Sequence, residues 1–379
     1  MQREKTLKDP EKSKTGDTRI LVVRLSAIGD VIRTLPAVSL IRERLPGAHI
    51  AWVTEEGPSG ALANRDDLDE VIIFPPRIKE LAKNPLFLPL LVKEFLAFMK
   101  GIRARRYDAV LDFHGLFKSG IISLFSGAPE RYGYARPFTK EMNFLCNNNR
   151  TALSREKLSR VRRNLALARF FLGEADDGTI PVVYLQSSDE EKREVDKIEA
   201  EAFSGRRPRI IVHPGTSPRT PYKRWPAERF ALAADILVRK TGGEVLVTYG
   251  PGEEETARRV VGAMKEGGAL LSRMLTLTGL SELFRRADVC IGGDTGPMHV
   301  ASFSATPVVV VFGPTDRTEN EPYPITPYRI VYCETDCAPC RKRTCTDGAC
   351  FAGVTPQMAA DAVMELLGDG RADAAGGSP

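Results

Sequence analysis

The sequence predicts an α/β protein with two domains, each built on a parallel β-sheet. Each half of the chain opens with a buried strand rich in β-branched residues, at residues 20–25 and 209–213, followed by a helix and another strand. Such βαβ units form parallel sheets that bind ligands at the carboxyl ends of their strands. The length of 379 residues also exceeds the roughly 250–300 residues that one core usually serves.

The composition is that of a soluble globular protein, with 42% hydrophobic and 27% charged residues. A net charge of +5 and a pI near 8.8 suit an acidic ligand or an anionic membrane surface, and they do not imply nucleic acid. Residues 1–17 form a mixed-charge tail with no apolar core, so we expect no signal peptide. The most apolar stretch, residues 86–99, is too short to span a bilayer, which takes about 20 residues.

The first strand, ILVVRL at residues 20–25, ends in the turn Ser26-Ala27-Ile28-Gly29-Asp30. A helix follows and stops at Pro46-Gly47, and residues 49–54 form the next strand. Asp30 therefore lies at the carboxyl end of the sheet, where a carboxylate can act as a general base. The alternative is a helix-terminal carboxylate stabilised by the helix dipole.

Two more strands are predicted in the first half, at residues 70–74 and 109–113. His114 follows the second of them, Lys118 begins a helix, and Arg131 is predicted near a strand end or in a loop. Between these strands, residues 76–108 combine apolar side chains with many lysines and arginines. This segment is either a core helix with a solvated basic face or a surface helix that rests among anionic lipid head groups.

The second half begins with the strand at residues 209–213 and the loop PGTSPRTPYKRWP. Lys223 in this loop can meet a phosphate as a point charge, and Thr216 and Ser217 can add hydroxyl donors; a solvated lysine is the alternative. A strand at residues 244–249 precedes Glu253, at a position where a ribose hydroxyl is often bound. The run of glutamates that starts there equally suits the beginning of a helix.

The turn IGGDTGPMH at residues 291–299 lies between an apolar strand and a helix. Gly293 allows a close approach of the backbone, and Asp294 and Thr295 occupy helix-capping positions. Amides at such a helix start favour an anion, most simply a phosphate. In the alternative, Asp294 only satisfies its own backbone.

The C-terminal region contains a cluster of five cysteines, Cys333, Cys337, Cys340, Cys345 and Cys350. The last four are spaced so that they can hold tetrahedral zinc, but the usual long separation between ligand pairs is missing. We therefore expect reduced, unligated cysteines that pack a loop-rich C-terminal segment. The glycine- and alanine-rich residues 369–379 are predicted to be a disordered tail.

Three of these segments, in this order, resemble one family: residues 26–30, the loop from His213 to Pro226 with Lys223-Arg224-Trp225-Pro226, and residues 293–299. They look like the lipopolysaccharide heptosyltransferases, the ADP-heptose-using glycosyltransferases of family 9. The resemblance runs from about residue 20 to residue 367 and includes the CxPC segment at residues 337–340.

The resemblance implies a GT-B architecture, with two Rossmann-like domains facing each other across a cleft. The N-terminal domain (18–184) would bind the acceptor, and the C-terminal domain (185–355) the nucleotide sugar. A final helix (356–368) would cross back to the first domain, with tails at 1–17 and 369–379. The reaction would be an inverting, metal-independent transfer of heptose from ADP-L-glycero-D-manno-heptose to Kdo-lipid A or an already heptosylated inner core, with no cofactor.

By the same resemblance, Asp30 would be the catalytic base. The donor and its phosphates would be held by Thr216, Ser217, Lys223, Glu253, Gly293, Asp294, Thr295, Gly296 and His299. Ser26, His114, Lys118 and Arg131 are the weaker candidates for binding the acceptor.

Two other functions remain open at this stage. One is a GT-B-fold epimerase or hydrolase that acts on a nucleotide sugar, and the other is a non-catalytic module that binds a nucleotide sugar or lipid. The presence of Asp30 argues against the second. A cytoplasmic protein is expected, peripheral on the inner face of the membrane if the basic apolar segment contacts lipid.

Overall fold

The structure is a computed structural model that describes residues 18–153, 158–217, 220–340, 342, 345 and 348–375. Two six-stranded sheets form within these residues, and all their pairings are parallel. The predicted α/β class with two Rossmann-like units is therefore confirmed. The tail predicted at 1–17 and the end of the one predicted at 369–379 lie outside the described residues.

The first unit contains six strands and seven α-helices. The strands are β1 (Arg19–Val23), β2 (His49–Thr54), β3 (Glu70–Ile73), β4 (Ala109–Asp112), β5 (Glu130–Tyr134) and β6 (Asn149–Thr151). The helices in the described residues are α1 (Ile28–Ile32), α2 (Leu35–Arg44), α3 (Glu56–Ser59), α4 (Pro76–Leu81), α5 (Leu88–Ala104), α6 (Phe117–Phe125) and α7 (Arg160–Leu172). The strand order is β3-β2-β1-β4-β5-β6.

The second unit repeats this plan. Its strands are β7 (Arg209–His213), β8 (Glu244–Val247), β9 (Ala269–Leu270), β10 (Val289–Gly293), β11 (Val308–Val311) and β12 (Tyr328–Val331). Its described helices are α8 (Asp189–Ala202), α9 (Ala227–Thr241), α10 (Glu254–Ala263), α11 (Leu277–Arg285), α12 (Gly296–Ser302), α13 (Ala349–Ala352) and α14 (Pro356–Ala375). The strand order is β12-β11-β10-β7-β8-β9.

The central strands of both sheets are buried because helices cover both faces. β11 consists of four buried valines, and β1 is buried from Ile20 to its end. In the register of the first sheet, Val23 at the end of β1 pairs with Val53 and Asp112. In the second, Gly293 at the end of β10 pairs with Val311. Asp30 and Asp294 therefore both follow the carboxyl end of a central strand.

The chain passes between the units in the segment from α7 to α8. Helix α7 packs on α2 and on β4, β5 and β6, whereas α8 packs on α11. The predicted boundary between residues 184 and 185 lies in this segment. Four strands, β5, β6, β9 and β12, were not predicted, because their sequences are polar or short.

Helix α14 extends past its predicted end at residue 368. Its main contacts are with α9, β10, β11 and β12 of the second unit. Ion pairs fix it there: Lys240 Nζ lies 3.1 Å from Asp361 Oδ1, and Arg329 Nε lies 2.9 Å from Glu365 Oε2. The predicted crossing to the first domain finds no support in these contacts. Among the described residues, no helix is long and apolar enough to cross a membrane.

Candidate active site

Asp30 lies in the first turn of α1 and forms ion pairs with two arginines of its own domain. Arg24 directly follows β1, and its Nη2 lies 2.7 Å from Asp30 Oδ2. Arg33 Nη2 lies 2.8 Å from Asp30 Oδ1, one helical turn away. Both arginine side chains are almost fully buried, whereas Asp30 keeps a 17% exposed side chain. Asp30 is therefore the more exposed partner in both ion pairs.

A third arginine reaches the same carboxylate from a distant part of the chain. Arg160, the first residue of α7, places Nη1 2.8 Å from Asp30 Oδ1. Its backbone N–H donates to the carbonyl of Glu319, and Arg33 Nη1 donates to Asn320 Oδ1 at 3.1 Å. Because residues 319 and 320 belong to the second unit, the arginines around Asp30 also join the two units.

The arginines determine the protonation of Asp30. Burial alone would raise the pKa of this carboxyl, but Arg24, Arg160 and Arg33 outweigh burial and hold it well below its usual value of 3.8. Asp30 is therefore ionised at physiological pH, as a proton acceptor must be. The same ion pairs make it a weak base.

We expect the replacement Arg160→Gln to shift the acidic limb of the pH profile to higher pH. The variant lacks one of the positive charges that depress the pKa of Asp30, so the carboxylate protonates at a higher pH than in the wild type. The measurement is kcat/KM for the transferase reaction from about pH 2 to 8, because the limb of the wild type lies below the usual pKa of a carboxyl group. Arg160→Lys, which keeps the charge, should retain a profile closer to the wild type, and identical profiles for all three proteins would contradict this electrostatic role.

The second unit contributes a buried ion pair at the carboxyl end of β10. Asp294 directly follows this strand, and its Oδ2 lies 3.0 Å from Lys223 Nζ. Burial raises the pKa of Asp294, whereas the ammonium group of Lys223 lowers it, with a net decrease. The lysine side chain is 23% exposed, whereas that of Asp294 is only 6% exposed. Sequence analysis named both residues, and the structure brings them together.

The start of α12 carries two buried polar atoms that lack a partner in the described part of the chain. They are Thr295 Oγ1 and His299 Nδ1. Burial, and then Arg33, lower the pKa of His299 to about 3, so its ring is neutral at physiological pH. Buried polar groups are nearly always hydrogen-bonded, and orphaned ones mark positions where a ligand or water completes the set. Both atoms lie beside Asp294, where sequence analysis expected the donor.

The two halves of the site meet where α1 contacts α12. A Cβ atom on Gly29 would lie 2.7 Å from His299 Cδ2, and one on Gly296 would lie 3.3 Å from Ile28 Cβ. A side chain at position 29 would therefore force the helices apart. Through this contact, Asp30 of the first unit and Asp294 of the second unit lie close enough for Arg33 to interact with both carboxylates.

Positive charge exceeds negative charge around this contact. Five cations lie around it: Arg24, Arg33, Arg160, Arg163 and Lys223. The carboxylates that they pair with or act on are Asp30, Asp294 and Glu319. Such an excess attracts an anionic ligand and stabilises an anionic leaving group. The predicted preference for a phosphate-bearing ligand thus has an electrostatic basis in both units.

Three other predicted donor residues have structural partners of their own. Thr216 is buried, and its hydroxyl donates to the carbonyl of Thr220 at 3.2 Å, whereas Ser217 is exposed. Glu253 is buried too; its Oε2 accepts from the Gly250 N–H at 2.9 Å and lies 3.3 Å from His213 Nε2. Thr216 and Glu253 therefore hold the loops after β7 and β8, and their contacts with a donor remain predictions.

Of the candidate acceptor residues, three lie at the carboxyl edge of the first sheet. Ser26 is half-buried between β1 and α1, and His114 Nδ1 accepts from the Leu25 N–H at 3.2 Å. Burial is the main cause that lowers the pKa of His114 to about 2, so this ring is also neutral. Lys118 is exposed on α6, with its Nζ 3.0 Å from Glu55 Oε1, and Glu55 directly follows β2.

Arg131 was predicted to lie near a strand end or in a loop, whereas the structure places it within a strand that was not predicted. It is the second residue of β5, level with Val110 in the middle of β4. Its guanidinium donates to the carbonyls of Cys146 and Ala128, each at 3.0 Å. The short strand was missed because Gly133 and the neighbouring Pro129 resemble turn residues. Arg131 thus stabilises the packing around β5 in this structure.

The cysteine cluster follows β12, and the backbone N–H of Cys340 donates to the carbonyl of Pro314 at 3.1 Å. Cys333, Cys337, Cys340, Cys345 and Cys350 are free thiols. Burial is the main cause that raises the pKa of Cys350. The nearby Cys337, Cys340 and Cys345 raise it further. No group of three or more potential ligands in the described residues is arranged to hold a metal ion.

Sequence analysis missed the arginines. Arg24 interrupts an otherwise apolar strand run, and a buried charge requires a partner, so Asp30 six residues later was a detectable candidate. Arg33 lies three residues after Asp30, a spacing at which helical side chains meet. Arg160 is separated from Asp30 by 130 residues and lies in a basic stretch without a motif, so only the fold reveals it.

Two Rossmann-like units, with Asp30 in the first and the Lys223–Asp294 pair in the second, form the GT-B architecture found in glycosyltransferases. The family model for glycosyltransferase family 9 (heptosyltransferase) matches residues 95–350, and the chain belongs to this family. The resemblance read from the three motifs is thereby confirmed.

Several known proteins are similar over nearly the whole chain. Lipopolysaccharide heptosyltransferase 1 of Pseudomonas aeruginosa is 27% identical over 368 residues, which cover 92% of this chain and 98% of that protein. In fold, the chain resembles a family 9 glycosyltransferase from Veillonella parvula (TM-score 0.73, 22% identity, 93% and 97% coverage). It also resembles ADP-heptose LPS heptosyltransferase II of Escherichia coli (TM-score 0.70, 23% identity, 93% and 100% coverage).

Proposed function

We propose that this enzyme transfers heptose from ADP-L-glycero-D-manno-heptose to the inner core of lipopolysaccharide, either Kdo-lipid A or an already heptosylated core. We further propose that the transfer inverts the anomeric centre and needs no metal. One observation carries the proposal: Asp30 and the Lys223–Asp294 pair lie close together where α1 contacts α12. Membership of family 9 and the names of its relatives supply the sugar and the acceptor.

The second unit is suited to the donor. Lys223 would lie against the diphosphate as a point charge, together with the backbone amides of Thr295 and Gly296 at the start of α12. Asp294 and the neutral ring of His299 would hold the sugar hydroxyls, with His299 Nδ1 and Thr295 Oγ1 as the groups that still lack a partner in the described structure. Ser217, Glu253 and the close approach at Gly293 would complete the nucleotide site.

Charge neutralisation without a metal is the first chemical requirement of this proposal. As the bond from the anomeric carbon to the phosphate oxygen breaks, ADP leaves with the electron pair and gains negative charge. Lys223 and the surplus of arginines supply the opposing charge that a metal ion supplies in other enzymes. Fixed cations in a cleft that excludes water are worth far more than the same charges in bulk water.

Deprotonation of the acceptor is the second requirement. The acceptor oxygen would attack the anomeric carbon from the face opposite ADP, and Asp30 would take the hydroxyl proton. A carboxylate of low pKa cannot remove this proton beforehand. It can accept it late in the displacement, when the new carbon–oxygen bond has made the hydroxyl strongly acidic. The ion pairs around Asp30 therefore favour a proton transfer that follows bond formation.

The first unit is suited to the acceptor. Ser26, His114 and Lys118 lie at the same sheet edge as Asp30 and would contact the acidic sugar of the inner core. Because the acceptor is anchored in lipid, we also propose that the protein works at the cytoplasmic face of the inner membrane as a peripheral protein.

Incubation with ADP-heptose and a heptose-free Kdo-lipid A tests the proposed function. We expect ADP release that depends on the acceptor and a mass increase of one heptose on the lipid. A β-linked donor analogue and NMR of the product would establish whether the anomeric configuration inverts, and added chelator should leave the rate unchanged. Consumption of the donor without any acceptor would instead indicate a hydrolase or an epimerase.

A further inference from the structure

The first unit carries a large exposed apolar surface that the proposed transfer reaction does not explain. Ten large hydrophobic side chains contribute to it: Leu86, Phe87, Leu88, Val92, Leu96, Phe117, Leu124, Phe125, Met142 and Leu145. We call these ten residues the outer apolar surface. Leu86, just before α5, is the most exposed, with 85% of its surface accessible. In the second unit, exposed hydrophobic side chains such as Leu232 and Met358 are scattered, as on most proteins.

Helix α5 shows why this surface is unusual. Leu88, Val92 and Leu96 are spaced four residues apart and form one exposed stripe. The opposite side of the helix is apolar too, and it packs on the first sheet through Leu91, Phe95, Phe98, Met99 and Ile102. A helix that is hydrophobic on both sides normally lies inside a protein or in a membrane interface. Packing inside the described structure accounts for only one side.

The three elements of the outer apolar surface are continuous. Phe95 of α5 contacts Phe125 of α6 edge to face, with ring centroids 6.2 Å apart. The backbone N–H of Phe117 donates to Glu141 Oε2, next to Met142. Asn143, the following residue, lies against Gly120 in the middle of α6. The exposed side chains of α5, α6 and residues 142–145 thus belong to one face of the first unit.

Positive charge is concentrated around the same face. Residues 76–150 contain 13 lysines and arginines and six aspartates and glutamates, a net charge of +7. Since the whole chain carries +5, the remainder carries −2. Lys83, Lys93 and Lys100 are exposed beside the apolar stripe, and the described residues offer them no carboxylate partner. The partner that fits both properties is apolar inside and negatively charged at its surface.

We propose that the outer apolar surface docks on an anionic phospholipid bilayer, with Leu88, Val92 and Leu96 in the acyl boundary and Lys83, Lys93 and Lys100 among the head groups. A second copy of the chain fits less well, because a symmetric contact would oppose lysine to lysine. The proposal rests on the proposed function for its biological purpose, and it names the surface by which the enzyme reaches a lipid acceptor.

The position of this surface agrees with that purpose. Helix α6 begins directly after the loop that contains His114, at the sheet edge where Asp30 lies. Phe117 is on the membrane side of this helix start, whereas Lys118 reaches Glu55 at the end of β2. An acceptor head group that rises from the bilayer at this edge would therefore enter the cleft from the side of the first unit.

Co-sedimentation with vesicles tests the docking without donor or acceptor. We expect the wild type to bind vesicles of equal parts phosphatidylcholine and phosphatidylglycerol, and to bind phosphatidylcholine alone far less. The triple variant Leu88→Ser, Val92→Ser and Leu96→Ser should lower the partition coefficient on the order of a hundredfold, because it removes three apolar side chains from the interface. The matched control, Leu232→Ser with Met358→Ser in the second unit, should bind like the wild type.

Charge variants separate the two contributions. Lys83→Glu with Lys93→Glu should weaken binding to the anionic vesicles at least about tenfold in low salt, and the difference should shrink in high salt. Unchanged binding of the triple serine variant, or an equal loss in the control, would overturn the proposal. So would a wild-type dimer in sedimentation that the triple variant converts to a monomer, since a second copy would then cover the surface.

Activity assays distinguish this proposal from the proposed function. With a deacylated, soluble acceptor, the triple serine variant should transfer heptose at the wild-type rate. With the lipid acceptor in anionic vesicles, it should be slower by at least about tenfold, in line with its lost binding. Failure of the wild type to transfer heptose to either acceptor would refute the proposed function, whereas equal rates of both proteins on vesicles would refute the docking surface alone.

Discussion

Asp30→Asn is expected to lower kcat/KM for heptose transfer by about three orders of magnitude, within the range of about 10²–10⁴ known for loss of a general base. Asparagine has nearly the same size but cannot accept the hydroxyl proton of the acceptor. Donor affinity should remain nearly intact, because the donor-binding residues proposed here belong to the second unit. Acceptor-dependent ADP release measures the rate, and calorimetric titration with ADP-heptose measures the affinity.

Stability must be measured beside the rate, because Asp30 also neutralises buried arginines. Removing one partner of a buried ion pair costs on the order of 3–5 kcal/mol, so the Asn variant should unfold at lower temperature. Asp30→Glu is the matched control: it keeps the negative charge and the ion pairs but moves the carboxylate by one methylene. Its stability should be closer to the wild type, while its rate should still fall. Full turnover by folded Asn variant would disprove the base assignment.

Lys223→Met is expected to have the second-largest effect, a loss on the order of 10²–10³ in kcat/KM. The ammonium group is the cation nearest to Asp294 on the donor side, at 3.0 Å, and methionine replaces it with an apolar chain of similar length. Negative charge on ADP grows as the bond to the sugar breaks, so the loss should appear in kcat as well as in donor affinity. Steady-state kinetics with varied donor separates the two.

The companion variant Asp294→Ala should behave differently. It leaves Lys223 without its carboxylate and takes away contacts to the sugar, so donor affinity should fall more than the turnover of the bound complex. Titration of ADP-heptose against both variants makes the comparison. If Asp294→Ala bound donor like the wild type, its assignment to the donor site would fail. If Lys223→Met lost only affinity and no turnover, the lysine would bind the ground state without stabilising the leaving group.

Much of the fold was predictable because buried parallel strands have a simple signature. The apolar runs that became β1, β2, β7 and β11 are recognisable from hydrophobicity alone, and their alternation with helices predicts two parallel sheets. Strands β5 and β6 lack this signature. β6 is the edge strand of the first sheet and β5 lies next to it, many of their side chains are polar, and their Gly and Asn residues resemble a turn.

The site was predictable where one motif supplied one residue. Asp30, Lys223, Asp294 and His299 follow strand ends, and the structure brings them together where the two units meet. The sequence did not show which polar groups of the site already form hydrogen bonds or ion pairs within the protein. The hydroxyl of Thr216 and the carboxylate of Glu253 are engaged within the second unit, and Arg160 approaches Asp30 only because α7 packs on α2. Such pairings depend on tertiary packing, which no local pattern encodes.

The contact at Gly29 also bears on how this protein can diverge. Because Gly29 has no side chain, the backbone of α1 packs directly against the imidazole ring of His299 in α12. This contact sets the spacing between Asp30 and the second unit. Loops that bind the acceptor, and helices such as α5 and α6, can then change in the course of evolution without altering the reaction distance. With glycine at this position, the distance between the reacting groups does not depend on the segments that select the acceptor.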